Sequence, residues 1–247
     1  MLSKKYRLPI QTAIGKREKL TVFTAYKLIT LFLEAKELFL RLQPDLVAGF
    51  GGYLSIPFIL AAHYRKIHSF IHEQNVTLGR ANRFLTRFAD KIILSFPQSK
   101  DAAAPKGKTF VVGLPMRKEF KRIDQQQARH YFGFNTQNFI LLVAGGSQGS
   151  TRINAELVRI LKEIDCADIG IIHSTGFLDY EHILQEYKDI KMQNRIVPFI
   201  ERMDYAMSAC DLMISRAGAG TVTEIIFMKT PALLIPYPHA QQHQLDN

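Results

Sequence analysis

Cysteine is scarce in this chain of 247 residues. Cys166 and Cys210 stand alone, with no Cys-x-x-Cys spacing and no His/Cys pairing. That pattern excludes a structural zinc site and points to a reducing compartment. Met1 to Arg7 is basic but leads into no apolar run with a small-residue cleavage site, so no signal peptide is expected. No apolar stretch reaches the roughly 20 residues needed to cross a bilayer. Internal repeats, low-complexity segments and long disordered linkers are missing too. Acidic residues are in deficit, 22 against 32 Lys and Arg, which leaves a net charge of +10. Such an excess suggests a polyanionic partner, either nucleic acid or an anionic membrane surface. No helix-turn-helix, zinc finger or aromatic RNA-binding signature accompanies it, so nucleic acid is not expected.

What is present begins with the run Arg216-Ala217-Gly218-Ala219-Gly220-Thr221-Val222-Thr223-Glu224. It follows a short apolar strand, Asp211 to Ser215, and opens a helix expected over Thr223 to Met228. The first amides of a helix lack intrahelical partners, and its dipole favours negative charge. Glycine and alanine let a phosphate approach the backbone closely. A carboxylate at Glu224 would repel that phosphate unless it points past it, to hydroxyls such as those of a ribose. The run therefore reads as a nucleoside diphosphate site. It could equally be a tight strand-to-helix turn required by packing alone. A nicotinamide dinucleotide is a poor fit, because Thr223 stands at the third glycine position and no acid follows about 20 residues later.

Strands and helices alternate along most of the chain. Strands are expected over Asp45 to Phe50, Ser69 to His72, Lys91 to Ser95 and Thr109 to Val112, with helices from Ser55 and over Gly79 to Ala89. Gly113-Leu114-Pro115-Met116-Arg117 breaks the pattern, and a charged helix is expected over Lys118 to Phe132. Alternation resumes with strands at Asn138 to Ala144, Ile169 to His173, Arg195 to Val197, Asp211 to Ser215 and Pro231 to Ile235. Helices at Thr151 to Ile164 and Asp179 to Lys188 lie between them. This is the pattern of parallel sheets covered on both faces, with ligands at the carboxyl ends of the strands. Two doubly wound domains, 1–114 and 115–247, are expected to face a cleft.

The stretch from Leu20 to Leu33 is apolar nearly all round. Phe23, Leu31, Ala35 and Leu38 form one helical face suited to a core. Val22, Tyr26, Ile29 and Phe32 or Leu33 form a second face, beside the basic cluster Lys4, Lys5, Arg7, Lys16, Arg17 and Lys19. Surplus apolar surface next to basic residues suits a helix resting on anionic lipid. A core helix packed on both sides fits the same pattern.

Six segments occur in order at expected strand ends: Gly49-Phe50-Gly51-Gly52-Tyr53, His72-Glu73-Gln74-Asn75, Gly113 to Arg117, Gly145-Gly146-Ser147-Gln148-Gly149, the 216–224 run, and His239 to Asn247. Together they resemble the MurG family, peripheral membrane glycosyltransferases of peptidoglycan synthesis. These transfer N-acetylglucosamine from UDP to undecaprenyl-pyrophosphoryl-N-acetylmuramoyl-pentapeptide at the cytoplasmic face of the plasma membrane. The resemblance implies the GT-B type of α/β fold, two Rossmann-like domains, with acceptor and membrane functions in 1–114 and UDP-sugar binding in 115–247. It spans roughly the middle two-thirds of such a protein. The glycine-rich, histidine-bearing segment that would hold the catalytic base has no counterpart here, so no catalytic residue is assigned.

Carried over by motif, the resemblance implies that the backbone of Ile200 holds uracil and Glu224 the ribose. Ala219, Gly220, Thr221, Val222, Thr223, Ser147 and Arg117 would hold the diphosphate, and Asn75 and Gln244 the donor sugar. Gly51, Gly52 and Tyr53 would lie near the acceptor, together with His72 and Glu73, although these last two could simply pair with each other or cap the next helix. Val22, Tyr26, Ile29 and Phe32 would meet the membrane. His173, at the end of a buried strand, reads as a structural histidine, and Arg80, Arg83 and Arg87 as a solvated helix face. No Asp-x-Asp occurs, so neither a metal clamp nor another cofactor is expected. Charge on the departing diphosphate would be met by fixed amides and Arg117. An inactive UDP-sugar-binding remnant, or another lipid-acceptor transferase of the same two-domain plan, would share these features.

Overall fold

The computed structural model describes residues 22–101, 107–134, 139–164 and 168–237. It divides into two compact units between Leu114 and Pro115. The first contains α1 (Val22–Leu42), β1 (Leu46–Gly49), α2 (Ser55–Tyr64), β2 (His68–Glu73), α3 (Arg80–Leu85), β3 (Lys91–Leu94) and β4 (Thr109–Val111). Its four strands run parallel in the order β1-β2-β3-β4. Val47, Ile71, Ile92 and Leu94 on the strands bury against Ile59, Ala61 and Ala62 of α2. On α1, Leu31, Ala35 and Phe39 recur every fourth residue and are buried, while Tyr26, Ile29 and Leu33 on the other side are exposed. Among the described residues no helix is long and apolar enough to cross a membrane.

The second unit contains α4 (Gln125–Tyr131), β5 (Phe139–Ala144), α5 (Thr151–Glu163), β6 (Ile169–Ser174), α6 (Tyr180–Glu186), β7 (Asn194–Val197), α7 (Met203–Ala209), β8 (Leu212–Ser215), α8 (Ala219–Met228) and β9 (Ala232–Leu234). Five parallel strands take the order β7-β6-β5-β8-β9. Ile140, Leu142, Ile172 and Met213 face a core shared with Ala128, Ala206, Met207 and Met228. Val143, Ile171 and Ile196 face the opposite core, shared with Leu157, Leu161 and Ile183. Burial on both faces explains why β5 and β6 read as continuous apolar runs rather than alternating ones.

Three helix boundaries differ from expectation, each for a local reason. The helix expected from Lys118 begins only at Gln125, where the Asp124 side chain caps it by accepting from the Gln127 amide at 3.0 Å. The residues before it are drawn off by distant partners: Arg122 Nε donates to the Met228 carbonyl at 3.0 Å and the Ile123 amide to Ser208 Oγ at 3.1 Å. Helix α3 ends at Leu85 instead of Ala89, where Thr86 turns its hydroxyl back to donate to the Arg83 carbonyl at 2.9 Å. Helix α8 starts at Ala219, not Thr223, with Gly218 as its N-cap residue and the Val222 amide donating to the Gly218 carbonyl at 2.9 Å.

Candidate functional site

In the second unit the chain lays β6 and β7 on one side of β5 and β8 and β9 on the other. The order reverses between β5 and β8, so their carboxyl ends flank the crevice where doubly wound sheets bind ligands. Two loops enter it: Gly145 to Gly149 after β5, and Arg216 to Gly218 after β8. Gly149 has a φ of +75°, and a Cβ there would lie 2.1 Å from the Thr175 carbonyl oxygen. No other residue fits that seat. Ser147 sits exposed at the tip of the loop.

Arg216 braces the crevice from three sides. One guanidinium nitrogen donates to Ser150 Oγ at 2.8 Å, another to the Pro236 and Ile235 carbonyls at 3.0 and 3.3 Å. Its guanidinium also stands 5.4 Å from the centroid of the Tyr237 ring. The loops after β5, β8 and β9 are thereby tied to one side chain. The sequence carries no signal for this role, because the acceptors include two main-chain carbonyls far along the chain.

The corrected start of α8 changes which groups can meet an anion. Ala219, Gly220 and Thr221 supply the amides without intrahelical partners. Val222 and Thr223, expected among the diphosphate ligands, sit too far in: the Val222 amide is used by Gly218 and the Thr223 hydroxyl donates to the Ala219 carbonyl at 2.9 Å. The Val222 side chain is buried in the helix's inner face. Glu224 is half-buried, and burial raises its carboxyl above the ordinary range, with the Arg117 charge acting against that rise. The structure thus brings Arg117 near enough for its charge to act on Glu224, although 107 positions of sequence separate them. Ile200 is buried after β7, in the core it shares with Ile140, Leu142 and Met207. Gln244 lies outside the described residues.

The first unit gathers its candidates at the carboxyl ends of β1 and β2. Gly51 and Gly52 both adopt positive φ, and Ser55 Oγ donates to the Gly51 carbonyl at 2.6 Å, which fixes the turn bearing Tyr53. Glu73 is buried and its carboxylate is fully engaged. One oxygen accepts from the amide and side chain of Asn75 at 3.1 and 3.2 Å, the other from the Gly79 amide at 3.0 Å and Asn82 Nδ2 at 2.8 Å. Glu73 therefore builds the loop that carries Asn75 and does not pair with His72. His72 donates from Nε2 to the Gly113 carbonyl at 3.3 Å, and its buried Nδ1 has no partner among the described residues.

An apolar groove of about 660 Å³ opens among α1, α2 and α3, lined by Ile29, Phe32, Tyr53, Leu60 and Phe84 with Arg80 among them. Of the residues expected to meet a membrane, Tyr26 and Ile29 are 68% and 61% exposed. Phe32 instead packs edge-on against Tyr64, with ring centroids 6.2 Å apart. Nothing is described of the Val22 side chain, and the basic cluster Lys4 to Lys19 lies outside the described residues.

Residues 4–94 match the model of the glycosyltransferase family 28 N-terminal domain, and residues 140–247 that of the family 28 C-terminal domain. The chain belongs to glycosyltransferase family 28. Its two Rossmann-like domains are those of the GT-B type. It is 37% identical over 207 residues to a protein of Moorella thermoacetica named UDP-N-acetylglucosamine--N-acetylmuramyl-(pentapeptide) pyrophosphoryl-undecaprenol N-acetylglucosamine transferase, an alignment covering 81% of this chain and 56% of that protein. A protein of the same name from Carboxydothermus hydrogenoformans is 37% identical over 252 residues, covering 98% of this chain and 66% of the relative. The crystal structure of Acinetobacter baumannii MurG superposes with a TM-score of 0.70 at 31% identity, over 95% of this chain and 64% of that one. The chain thus spans between about half and two-thirds of the length of these relatives.

Proposed function

We propose that this chain is the donor- and acceptor-binding part of a UDP-N-acetylglucosamine-dependent transferase whose acceptor is undecaprenyl-pyrophosphoryl-N-acetylmuramoyl-pentapeptide. The observation that carries the reading is the cluster at the β5–β8 crevice: the free amides of Ala219 to Thr221, the Gly145 to Gly149 loop, and Glu224 within range of the Arg117 charge. The α8 amides, with Ser147 and Arg117, would receive the diphosphate and meet the charge that grows on departing UDP. Glu224, one turn further in, would accept from the ribose hydroxyls. The backbone beside Ile200 would hold the uracil, and Asn75 the sugar. A base must take the proton of the acceptor hydroxyl, and none of the described residues is assigned that task.

The acceptor side is supported by the Gly51-Gly52-Tyr53 turn and by the apolar groove with its single arginine, which suit a phosphate carried on a hydrocarbon chain. Exposed Tyr26 and Ile29 on α1 suit peripheral attachment to an anionic membrane surface, at the cytoplasmic face of the plasma membrane. Binding of UDP and uridine by titration calorimetry, in buffer containing a chelator, tests the donor site. UDP is expected to bind more tightly than uridine without added metal. Failure of the chain to bind UDP at all would sink the reading.

A further inference from the structure

Behind the Gly145 to Gly149 loop lies a polar chain of side chains buried in the second unit. His173 is fully buried at the end of β6, with Nδ1 3.1 Å from Tyr187 Oη and Nε2 3.0 Å from Asn154 Oδ1. Asn154 Nδ2 reaches the Thr175 carbonyl and Asp179 Oδ2, both at 2.8 Å. Those last two partners are acceptors only, so the amide nitrogen must face them and the amide oxygen must face the imidazole. Nε2 then carries the proton, Nδ1 accepts, and the tyrosine hydroxyl donates. Every direction in the chain is settled: Tyr187 to His173, His173 to Asn154, Asn154 to the Thr175 carbonyl and Asp179.

The end of this relay is the atom that seats the glycine loop. The Thr175 carbonyl is the group a Cβ on Gly149 would strike at 2.1 Å, and a Cβ on Gly176 would meet the Gln148 carbonyl at 2.4 Å. The two loops are therefore in direct backbone contact, and the Gly149 amide in turn closes the tip by donating to the Gly146 carbonyl at 3.0 Å. None of the three relay side chains is exposed to the crevice, so none can touch a ligand.

We propose that Asn154, His173 and Tyr187 are positioning residues for donor phosphate, holding the Thr175 carbonyl so that the Gly145 to Gly149 loop keeps its amides in phosphate-binding register. This rests on the donor-site reading above and adds to it what sets the loop. A group that only stabilises the fold would leave ligand preference unchanged in the folded molecules. A positioning group is needed for the phosphates alone.

The test compares UDP with uridine in the whole chain and in Asn154→Ala, below the unfolding temperature of each protein. UDP affinity should fall about tenfold, the scale of one lost charge-assisted hydrogen bond, with uridine affinity unchanged. Tyr187→Phe removes a single hydroxyl and keeps the ring, so it guards against misfolding of the first variant. It should weaken UDP in the same selective way but less. Amide hydrogen exchange at Gly146 to Ser150, measured without ligand, should quicken in both variants. Equal loss of UDP and uridine affinity, or loop exchange unchanged in Tyr187→Phe, overturns the relay. Absence of UDP binding by the unaltered chain overturns the donor site itself.

Discussion

Glu224 holds a carboxylate where the apo protein does not want one. Burial raises its pKa, so the charged form is disfavoured in the folded state even with Arg117 nearby. Stability should therefore fall as pH rises from the ordinary carboxylate value through the raised one. Glu224→Gln is expected to melt at or above the parent temperature at pH 7 while losing ribose recognition. Calorimetry with UDP and 2′-deoxy-UDP should show the preference for the ribose shrinking by about 1.5–3 kcal/mol. An intact preference in the variant would remove Glu224 from the sugar. His173 behaves in the opposite sense to a paired histidine. Burial pushes it down from 6.5 to about 4, so the unfolded chain binds the proton first. Stability is full above about pH 6.5 and declines as pH falls toward 4, by on the order of 3 kcal/mol if no other group compensates. In His173→Gln that part of the pH slope should vanish; the same slope in thermal melts of both proteins would place its origin elsewhere.

At the scale of elements, the alternation of strands and helices was legible because β5 is an unbroken apolar run from Phe139 to Ala144 and β6 opens on three isoleucines around Gly170, and because glycine and proline mark the turns. The break at Gly113 to Arg117 was legible for the same reason, and the units divide at Leu114 and Pro115. The starts of α2 at Ser55 and α5 at Thr151 were legible too, but those of α4 and α8 were not. Nothing in Lys118 to Ile123 announces that Arg122 will seek the Met228 carbonyl, and the small residues of Ala219 to Thr221 suit a turn as well as a first helical turn. The strand-end loops that make up the site could be found by motif, whereas the Arg216 brace and the Asn154 relay depend on partners that only folding brings near. Gly149→Ala puts a methyl group into the Thr175 carbonyl at a left-handed backbone position. It should cost at least about 2 kcal/mol of stability in urea unfolding, and a neutral result would mean that the two loops separate easily. Helix α1 offers a second test. Tyr26→Glu with Ile29→Glu removes exposed apolar surface without touching Leu31 or Ala35 in the core. Sedimentation with anionic vesicles should weaken by roughly tenfold or more and fall further with salt, since exposed charges are screened over about 8 Å at physiological ionic strength. Unchanged sedimentation would take the helix off the membrane.

For the whole molecule, each unit has its own core, and the proposed donor ligands lie mainly in the second. A ligand that binds only the folded form stabilises it by about 2.7 kcal/mol at a hundred times Kd. UDP should therefore slow hydrogen exchange in β5, β6 and β8 by about a hundredfold at that concentration. Exchange in those strands that ignores UDP would show that nucleotide binding is not coupled to this sheet. The strand order has another consequence, for the chain as it leaves the ribosome. Within the second unit, β5, β6 and β7 are made before β8 and can pair among themselves, which leaves β5 as a bare apolar edge. Only when β8 emerges, 68 residues after the end of β5, does a strand arrive to cover that edge. Its arrival also closes the crevice. A nascent chain stalled before Leu212 would have half a nucleotide site and an open strand edge, the kind that pairs with its neighbours. Gaining the ligand and losing the tendency to aggregate are thus one event in its synthesis.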